Sequence, residues 1–294
     1  MGNPKSTILN RNYLKLRHKI SKELESLNYP DSKRISGEIA QFIVTNYDTE
    51  SHYETTSEKI LARLEKKEPW EYIRGWAEFC GLKFKVNRDV LIPRIETEQL
   101  VEMAIQRAET SRATRLIDIG TGSGCIIISI CKKLAPSENR NLKKSENIER
   151  KLQFLATDIS EPALKIAHHN ARLNSAEEIQ FIKSDLLSDV PEDIIRTDTI
   201  FLANLPYIPT KVYNQLDKSV KNFEPKMALQ GGSDGLKHYK KLLSQITKKR
   251  ILPDSLFIEI DPVLINSFTK AFPKARLHKD FRGKRRFASW IWSQ

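Results

Sequence analysis

The chain has 294 residues, 39% hydrophobic and 29% charged, with a formal charge of +12. That length suits a small domain joined to a medium one, and the longest apolar run, CIIISIC (125–131), is far too short to cross a bilayer. The polar N-terminus carries no secretory signal, and Cys80, Cys125 and Cys131 are spaced for neither a disulfide framework nor a zinc site.

MGNPKS (1–6) fits the loose N-myristoylation pattern, but no polybasic helix or second acylation site stands near it. A cytoplasmic protein with no membrane partner and no metal is expected. The positive balance suits a polyanionic or acidic partner, or a solvated basic surface, and charge alone does not separate the two.

Residues 1–73 read as a small helical bundle, a candidate substrate-docking domain. YLKLRHKISKELESL sets Leu14, Leu16, Ile20, Leu24 and Leu27 mostly three or four residues apart with charges between. SGEIAQFIVTNY and TSEKILARLEKK repeat the pattern behind Ser or Thr caps. Over 74–92 a β-hairpin linker is expected, with Leu82, Phe84 and Val86 alternating, a turn at Asn87-Arg88-Asp89, and a return through Val90-Leu91-Ile92.

From residue 93 to 294 strands and helices alternate. Seven strands are read, in TRLIDIG, LQFLATDIS, EIQFIKSD, DTIFLANLPY, SLFIEI, ARLHKDF and RRFASWIW. Helical patterns fall between several of them, including SEPALKIAHHNARL with Ser160 as cap and Pro162 in the first turn. The alternation predicts a mainly parallel Rossmann-like sheet with helices on both faces and a closing antiparallel hairpin. The polar segment 136–150 breaks the pattern and reads as an exposed insertion.

LIDIGTGSGCIIISI (116–130) is a strand, then the turn Gly120-Thr121-Gly122-Ser123-Gly124, then a helix. Glycines at alternate positions let backbone turn sharply and approach a ligand. The spacing fits neither the dinucleotide fingerprint nor a triphosphate-cradling loop. Asp158 ends the next strand, where a carboxylate can bind two ribose hydroxyls. Its separation from Gly124 exceeds the usual ~20 residues by about the length of the insertion. Asp185 closes the third strand, and with Leu186 it falls near the adenine edge. A ribose acid without a pyrophosphate site points to an adenosyl ligand such as S-adenosylmethionine. Asp118 is either a structural carboxylate of the glycine turn or an anchor for the cofactor's methionine end.

The fourth strand lies beside the first and ends at Asn204-Leu205-Pro206-Tyr207. Asn204 offers an acceptor oxygen, the Leu205 carbonyl a second if Pro206 fixes its direction, and Tyr207 a ring to stack on or close over a flat group. Two acceptors converging on one NH2 orient a delocalised, weakly nucleophilic nitrogen and favour charge developing on it. The tetrapeptide alone leaves a glutamine amide and an adenine amine nearly equally open.

These residues resemble the amino-group methyltransferases of Rossmann type. More specifically, the chain resembles the peptide chain release factor glutamine methyltransferases (the HemK/PrmC family). The resemblance rests on EPWEYIRGWAEFCGLKFKVNRDVLIPRIETEQLVE (68–102), NFEPKMALQGGSDGLKHYKKLL (222–243) and KDFRGKRRFASW (279–290). It implies a class I S-adenosylmethionine-dependent methyltransferase fold. It also implies methyl transfer to the N5 amide of the glutamine in the Gly-Gly-Gln motif of a class I release factor. By position, Gly120 to Gly124, Asp158 and Asn204 would hold the cofactor, Asn204 to Tyr207 the glutamine amide, and Thr97 and Glu98 would be cofactor-side contacts. Three positions depart from the family pattern: Leu205 and Ile95 stand where it usually has Pro, and Leu186 where an aromatic is frequent.

The Asn-Leu-Pro-Tyr form also occurs in rRNA adenine dimethyltransferases, so N6-adenine methylation of rRNA or DNA is the alternative, with methylation of a ribosomal-protein glutamine beside it. A scaffold that has lost turnover is a third reading. The leading helical region and the 93–98 segment favour release factor glutamine. Direct nucleic-acid binding is not expected, and the protein is expected to be monomeric.

Overall fold

The computed structural model describes residues 4–47, 49–134, 151–195 and 198–292. Residues 1–3 of the acylation pattern and the insertion at 136–150 lie outside them. The chain forms two compact units, Met1–Arg74 and Gly75–Gln294. Among the described residues no helix is long and apolar enough to cross a membrane.

The first unit contains α1 (Pro4–Ser26), α2 (Ser32–Asn46), α3 (Glu50–Glu65) and α4 (Trp70–Arg74). Leu16, Ile20 and Leu24 recur every four residues and are buried with Ile39, Ile43 and Leu64. Leu14 is 55% exposed, against expectation. Two residues of helix turn it about 200° away from the stripe that Leu16 begins. Buried Trp70 anchors the short α4, its indole donating to Glu38 Oε2 at 2.9 Å.

The second unit opens with β1 (Trp76–Phe79) and β2 (Leu82–Lys85), an antiparallel pair. The hairpin thus lies one strand earlier than expected, and 87–92 forms a turn and coil. Its corner is Cys80-Gly81, both at positive φ (51° and 73°), the two-residue turn that matches strand twist. The segment expected as a linker is part of this unit. Phe79 and Phe84 sit in its core, and the Lys85 N–H and C=O both bond the side chain of Asn170, at 2.7 and 3.0 Å.

After α5 (Glu98–Thr110) come β3 (Arg115–Ile119), α6 (Cys125–Leu134), β4 (Gln153–Asp158), α7 (Glu161–Leu173), β5 (Gln180–Lys183) and β6 (Thr199–Ala203). Short helices α8 (Thr210–Tyr213), α9 (Lys218–Phe223) and α10 (Lys226–Leu229) lead to α11 (Lys237–Lys248), β7 (Ser255–Glu259), α12 (Ile265–Ala271), β8 (Arg276–Lys279) and β9 (Arg285–Ile291). As expected, Ser160 caps α7, its hydroxyl accepting from the Ala163 N–H.

The seven strands run in the order β5-β4-β3-β6-β7-β9-β8, with β9 antiparallel to both neighbours and the rest parallel. Alternate residues face opposite sides. Leu116, Phe154, Ile200 and Leu202 join a cluster with α5 and α6 residues such as Leu100 and Ile127. Ile117, Leu155, Phe201 and Ala203 join another with Tyr239 and Leu242 of α11. Central β6 and β7 are buried at every residue, so their sequences read as unbroken apolar runs rather than alternation.

Candidate active site

The register of the parallel strands fixes the site. Ile119 pairs with Thr157 and with Ala203, and Ala203 pairs with Ile258. One step further toward the carboxyl ends, Asp158, Gly120, Asn204 and Glu259 therefore stand in a row across β4, β3, β6 and β7. The row straddles the switch between β3 and β6, where ligands bind in doubly wound sheets.

Gly120, Gly122 and Gly124 take φ of 75°, 55° and 81°. A Cβ on Gly120 would lie 2.8 Å from Leu205 Cδ2, so the turn and the corner after β6 touch. A Cβ on Gly122 would meet nothing within 4 Å, which leaves its face open to a ligand. Four of the turn's five N–H groups are spoken for. Gly120 and Thr121 donate to Thr157 O, Gly122 to Asp158 Oδ2 at 2.8 Å, and Gly124 to Thr121 O. Such a loop offers shape rather than a nest of donors for phosphate. The Ser123 carbonyl accepts from Asn170 Nδ2 at 2.9 Å, which links the turn to the β1–β2 hairpin through one side chain.

Two carboxyls border the turn. Asp158 accepts from Gly122 N and Ser160 N, both at 2.8 Å, and burial raises its pKa. Asp118 is fully buried, and its Oδ2 accepts from the Thr121 hydroxyl at 2.6 Å. Burial pushes its pKa up to about 7, against the Thr121 hydrogen bond and with help from nearby Asp158. Among the described residues, nothing hydrogen-bonds the buried Asp118 Oδ1. A polar atom stranded this way is costly unless a donor or cation completes it.

At the corner, the Asn204 amide nitrogen donates to Thr97 Oγ1 at 3.2 Å and to Glu259 Oε2 at 3.1 Å. Thr97 in turn donates to the same Glu259 oxygen at 2.7 Å. The Leu205 carbonyl accepts from the buried Tyr239 hydroxyl at 3.1 Å, a hydroxyl that also reaches Glu259 O at 2.5 Å. One lone pair on Leu205 O remains. Tyr207 is held by its own backbone, since a Cβ on Gly231 would lie 2.7 Å from both Pro206 O and Tyr207 Cα, and one on Gly235 would strike Tyr207 O. The loop carrying those glycines bonds the next residue, with Ile208 N donating to Leu229 O and Gly231 N to Ile208 O. Burial, with Glu259 and Asp261 nearby, holds the Tyr207 phenol well above its ordinary pKa, so it stays neutral.

Two expected cofactor contacts are engaged elsewhere. Thr97 is buried behind Asn204, and Glu98 Oε1 accepts from the Cys80 N–H at 2.7 Å, pinning the hairpin. Asp185 follows Ser184, whose N–H bonds Asp158 O, and its carboxylate pairs with Lys241. Leu186 packs into the cluster with Ile117 and Leu155, at a left-handed φ of 58°. Sequence reasoning missed Glu259, Tyr239, Asn170, Gly231, Gly235 and Glu224. The last of these is buried and accepts from Arg94 and the Ile92 N–H, latching the segment before Thr97. A signal existed for Glu259, the one charge closing an apolar strand beside the switch point.

No family model matches the chain. Among curated proteins, it is 36% identical over 222 residues to the release factor glutamine methyltransferase of Thermodesulfovibrio yellowstonii, spanning 75% of this chain and 73% of that one. It is 35% identical over 239 residues to the protein of that name from Lactococcus lactis subsp. lactis, spanning 79% and 80%. Among solved structures, the hMettl16 catalytic domain in complex with the MAT2A 3′UTR hairpin 6 aligns with a TM-score of 0.53 at 14% identity, over 88% of this chain and 82% of that one. At that identity the likeness is one of fold, that of the class I S-adenosylmethionine-dependent methyltransferases. The curated relatives go further, being more than a third identical over three quarters or more of the chain. The chain belongs to the release factor glutamine methyltransferase family.

Proposed function

We propose that the protein transfers a methyl group from S-adenosylmethionine to the side-chain amide nitrogen (N5) of the glutamine in the Gly-Gly-Gln motif of a class I peptide chain release factor. The names of the curated relatives support that substrate. The observation that carries the reading is the contact between the glycine turn and the corner after β6. It brings the turn that carries the open face of Gly122 against the corner that carries the Asn204 amide and the Leu205 carbonyl.

Bound S-adenosylmethionine supplies a methyl group activated by its sulfonium. The residues fit that cofactor. The stranded Asp118 Oδ1 suits its cationic methionine end, and Asp158 has lone pairs left for ribose hydroxyls after its two backbone bonds. Gly120 to Gly124, including Thr121 and Ser123, shape the wall between them, and Asp185 and Leu186 border the adenine end. Asn204 Oδ1 and Leu205 O accept from the glutamine NH2, Pro206 restricts the Leu205 backbone before it, and neutral Tyr207 covers the flat amide. Holding both hydrogens orients the nitrogen toward the methyl group and favours the positive charge that grows on it. The nitrogen sheds its proton after transfer, so these residues need no base of their own. The helical unit, Met1–Arg74, is read as the docking surface for the factor.

Incubation with labelled S-adenosylmethionine and, separately, a release factor, its Gln-to-Ala form and rRNA tests the reading. Label is expected on the factor alone. Label on rRNA and none on the factor would overturn it.

A further inference from the structure

An asparagine amide has two faces of nearly the same shape. Half a turn about its last bond exchanges a carbonyl oxygen for an NH2. Only one of those states suits a substrate that itself brings an NH2. With the oxygen outward the pocket accepts, and with the nitrogen outward it presents donors to donors. Building the site on Asn204 therefore creates a problem that another residue has to solve.

Glu259 stands in the right place. Its Oε2 lies 3.1 Å from Asn204 Nδ2 and receives the Thr97 hydroxyl at 2.7 Å, while Thr97 Oγ1 itself accepts from Nδ2 at 3.2 Å. Nitrogen, hydroxyl and carboxylate thus close a triangle in which the amide and the hydroxyl both donate to the carboxylate. In the flipped amide, Asn204 Oδ1 would face the carboxylate oxygen with no hydrogen between them. Among the described residues no protein donor reaches Oδ1 in the observed state, so it is free for a ligand. We propose that Glu259 is a positioning residue which, with the Thr97 hydroxyl, locks the Asn204 amide nitrogen inward, so that the pocket offers only acceptor oxygens to a substrate amide. The inference rests on the proposed function for the identity of that amide. The lock itself is a property of this chain.

The lock has a charge state. Glu259 is fully buried, and burial raises its carboxyl to about 7 against the Thr97 bond and Arg286. Arg286 lies 3.9 Å from Oε1 and is itself held by Asp280. Glu96 pushes the carboxyl up and Arg94 down, and the neutral phenols of Tyr207 and Tyr239 lie alongside. As an anion, Glu259 can only accept. A proton on Oε2 turns it into a donor toward Asn204, which removes the bias between the two amide states. Acid therefore unlocks the amide.

The test uses the full-length protein with two variants. In the protein alone, the Asn204 side-chain 15N–1H pair, assigned by its loss in Asn204→Asp, is followed by NMR through pH. It should shift with a midpoint near 7, in step with an acid limb of kcat on the release factor at saturating cofactor. Glu259→Gln should abolish both transitions, because glutamine has no proton to gain. Thr97→Val, which removes a bond that holds the Glu259 pKa down, should move both to higher pH. Asp118 also titrates near 7, so a kcat limb that persists unchanged in Glu259→Gln belongs elsewhere and overturns the proposal. An Asn204 resonance that ignores pH, or a Thr97→Val midpoint unmoved or lowered, overturns it too. If Glu259→Gln fails to fold, Thr97→Val alone decides. A wild-type protein that leaves the factor unlabelled sinks the substrate reading instead, and the NMR midpoints still judge the lock.

Discussion

Gly231→Ala probes whether the corner after β6 is held by backbone against backbone. Its Cβ would sit 2.7 Å from Pro206 O and from Tyr207 Cα, and 2.8 Å from Gly235 O. Ordinary carbon contacts lie at roughly 3.5–4.0 Å, so the two segments must part by about 0.7–1.3 Å. None of the three obstacles is a side chain that can swing away. Overpacking of this kind costs about 1–3 kcal/mol. For a unit of this size that is roughly 2–12 °C in Tm. The greater effect is expected in turnover, because displacing the groups that grip a substrate by about 1 Å can cost ~100-fold. Gly122→Ala is the comparator. Its φ of 55° strains an alanine, at about 1–2 kcal/mol, but its Cβ enters open space rather than the corner. Urea melts and steady-state kinetics separate the two. Gly231→Ala should lower kcat with little change in cofactor affinity, and Gly122→Ala should weaken cofactor binding. Wild-type kcat together with a wild-type urea midpoint in Gly231→Ala would refute the reasoning.

Asn204→Ala removes an acceptor from the proposed pocket and should lower kcat by about 10²–10³ with the fold retained by circular dichroism; full activity would remove Asn204 from the site. Asn170→Ala breaks bonds to Lys85 N, Lys85 O and Ser123 O at 2.7, 3.0 and 2.9 Å, and orphaning these groups should cost about 3 kcal/mol in urea. Calorimetry should show weaker S-adenosylmethionine binding in the same variant, and an unchanged Kd would uncouple the hairpin from the glycine turn. Asp118 is raised from an ordinary 3.8 to about 7, so the unfolded chain ionises it first, and its contribution to stability is full below about 4 and lost as pH rises through about 7. Asp118→Asn should lose that part of the slope, on the order of a few kcal/mol between those limits, and parallel urea midpoints across the range would contradict it. Tyr239→Phe leaves the Leu205 and Glu259 carbonyls without their shared donor, so about 1–3 kcal/mol of stability and part of kcat should go together; loss of stability at wild-type kcat would show that Leu205 O needs no such support.

Much of the sheet could be read because its signals are local. A buried parallel strand is a short apolar run, and the glycine turn, the acid of β4 and the corner of β6 each follow such a run directly. The hairpin was misplaced because Cys80-Gly81 is not a common turn pair, whereas Asn87-Arg88-Asp89 carries ordinary turn letters. Only the positive φ of Cys80 shows that a non-glycine residue takes the first corner position. Leu14 was misjudged because leucines two apart cannot share a helical face. The residues behind the site were not visible for a different reason. Thr97, Asn204 and Glu259 are separated by 107 and 55 positions, and strand register together with the packing of the turn before α5 brings them together. Register is a property of the assembled sheet, and no single segment encodes it.

That support accounts for Leu205. In the family pattern this position is usually a proline, whose ring stiffens the turn by itself. Here the stiffness comes from neighbours. The Leu205 side chain is buried beneath Gly120, close enough that a Cβ there would strike it, and its carbonyl is fixed by Tyr239. Gly231 and Gly235 press on the backbone of Pro206 and Tyr207 from the other side. A side chain with free rotamers thus loses its freedom to packing rather than to a ring. The same packing ties the glycine turn to the corner after β6, because movement of Gly120 presses on Leu205. The departure from proline therefore leaves the Leu205 carbonyl fixed and its side chain packed against the glycine turn.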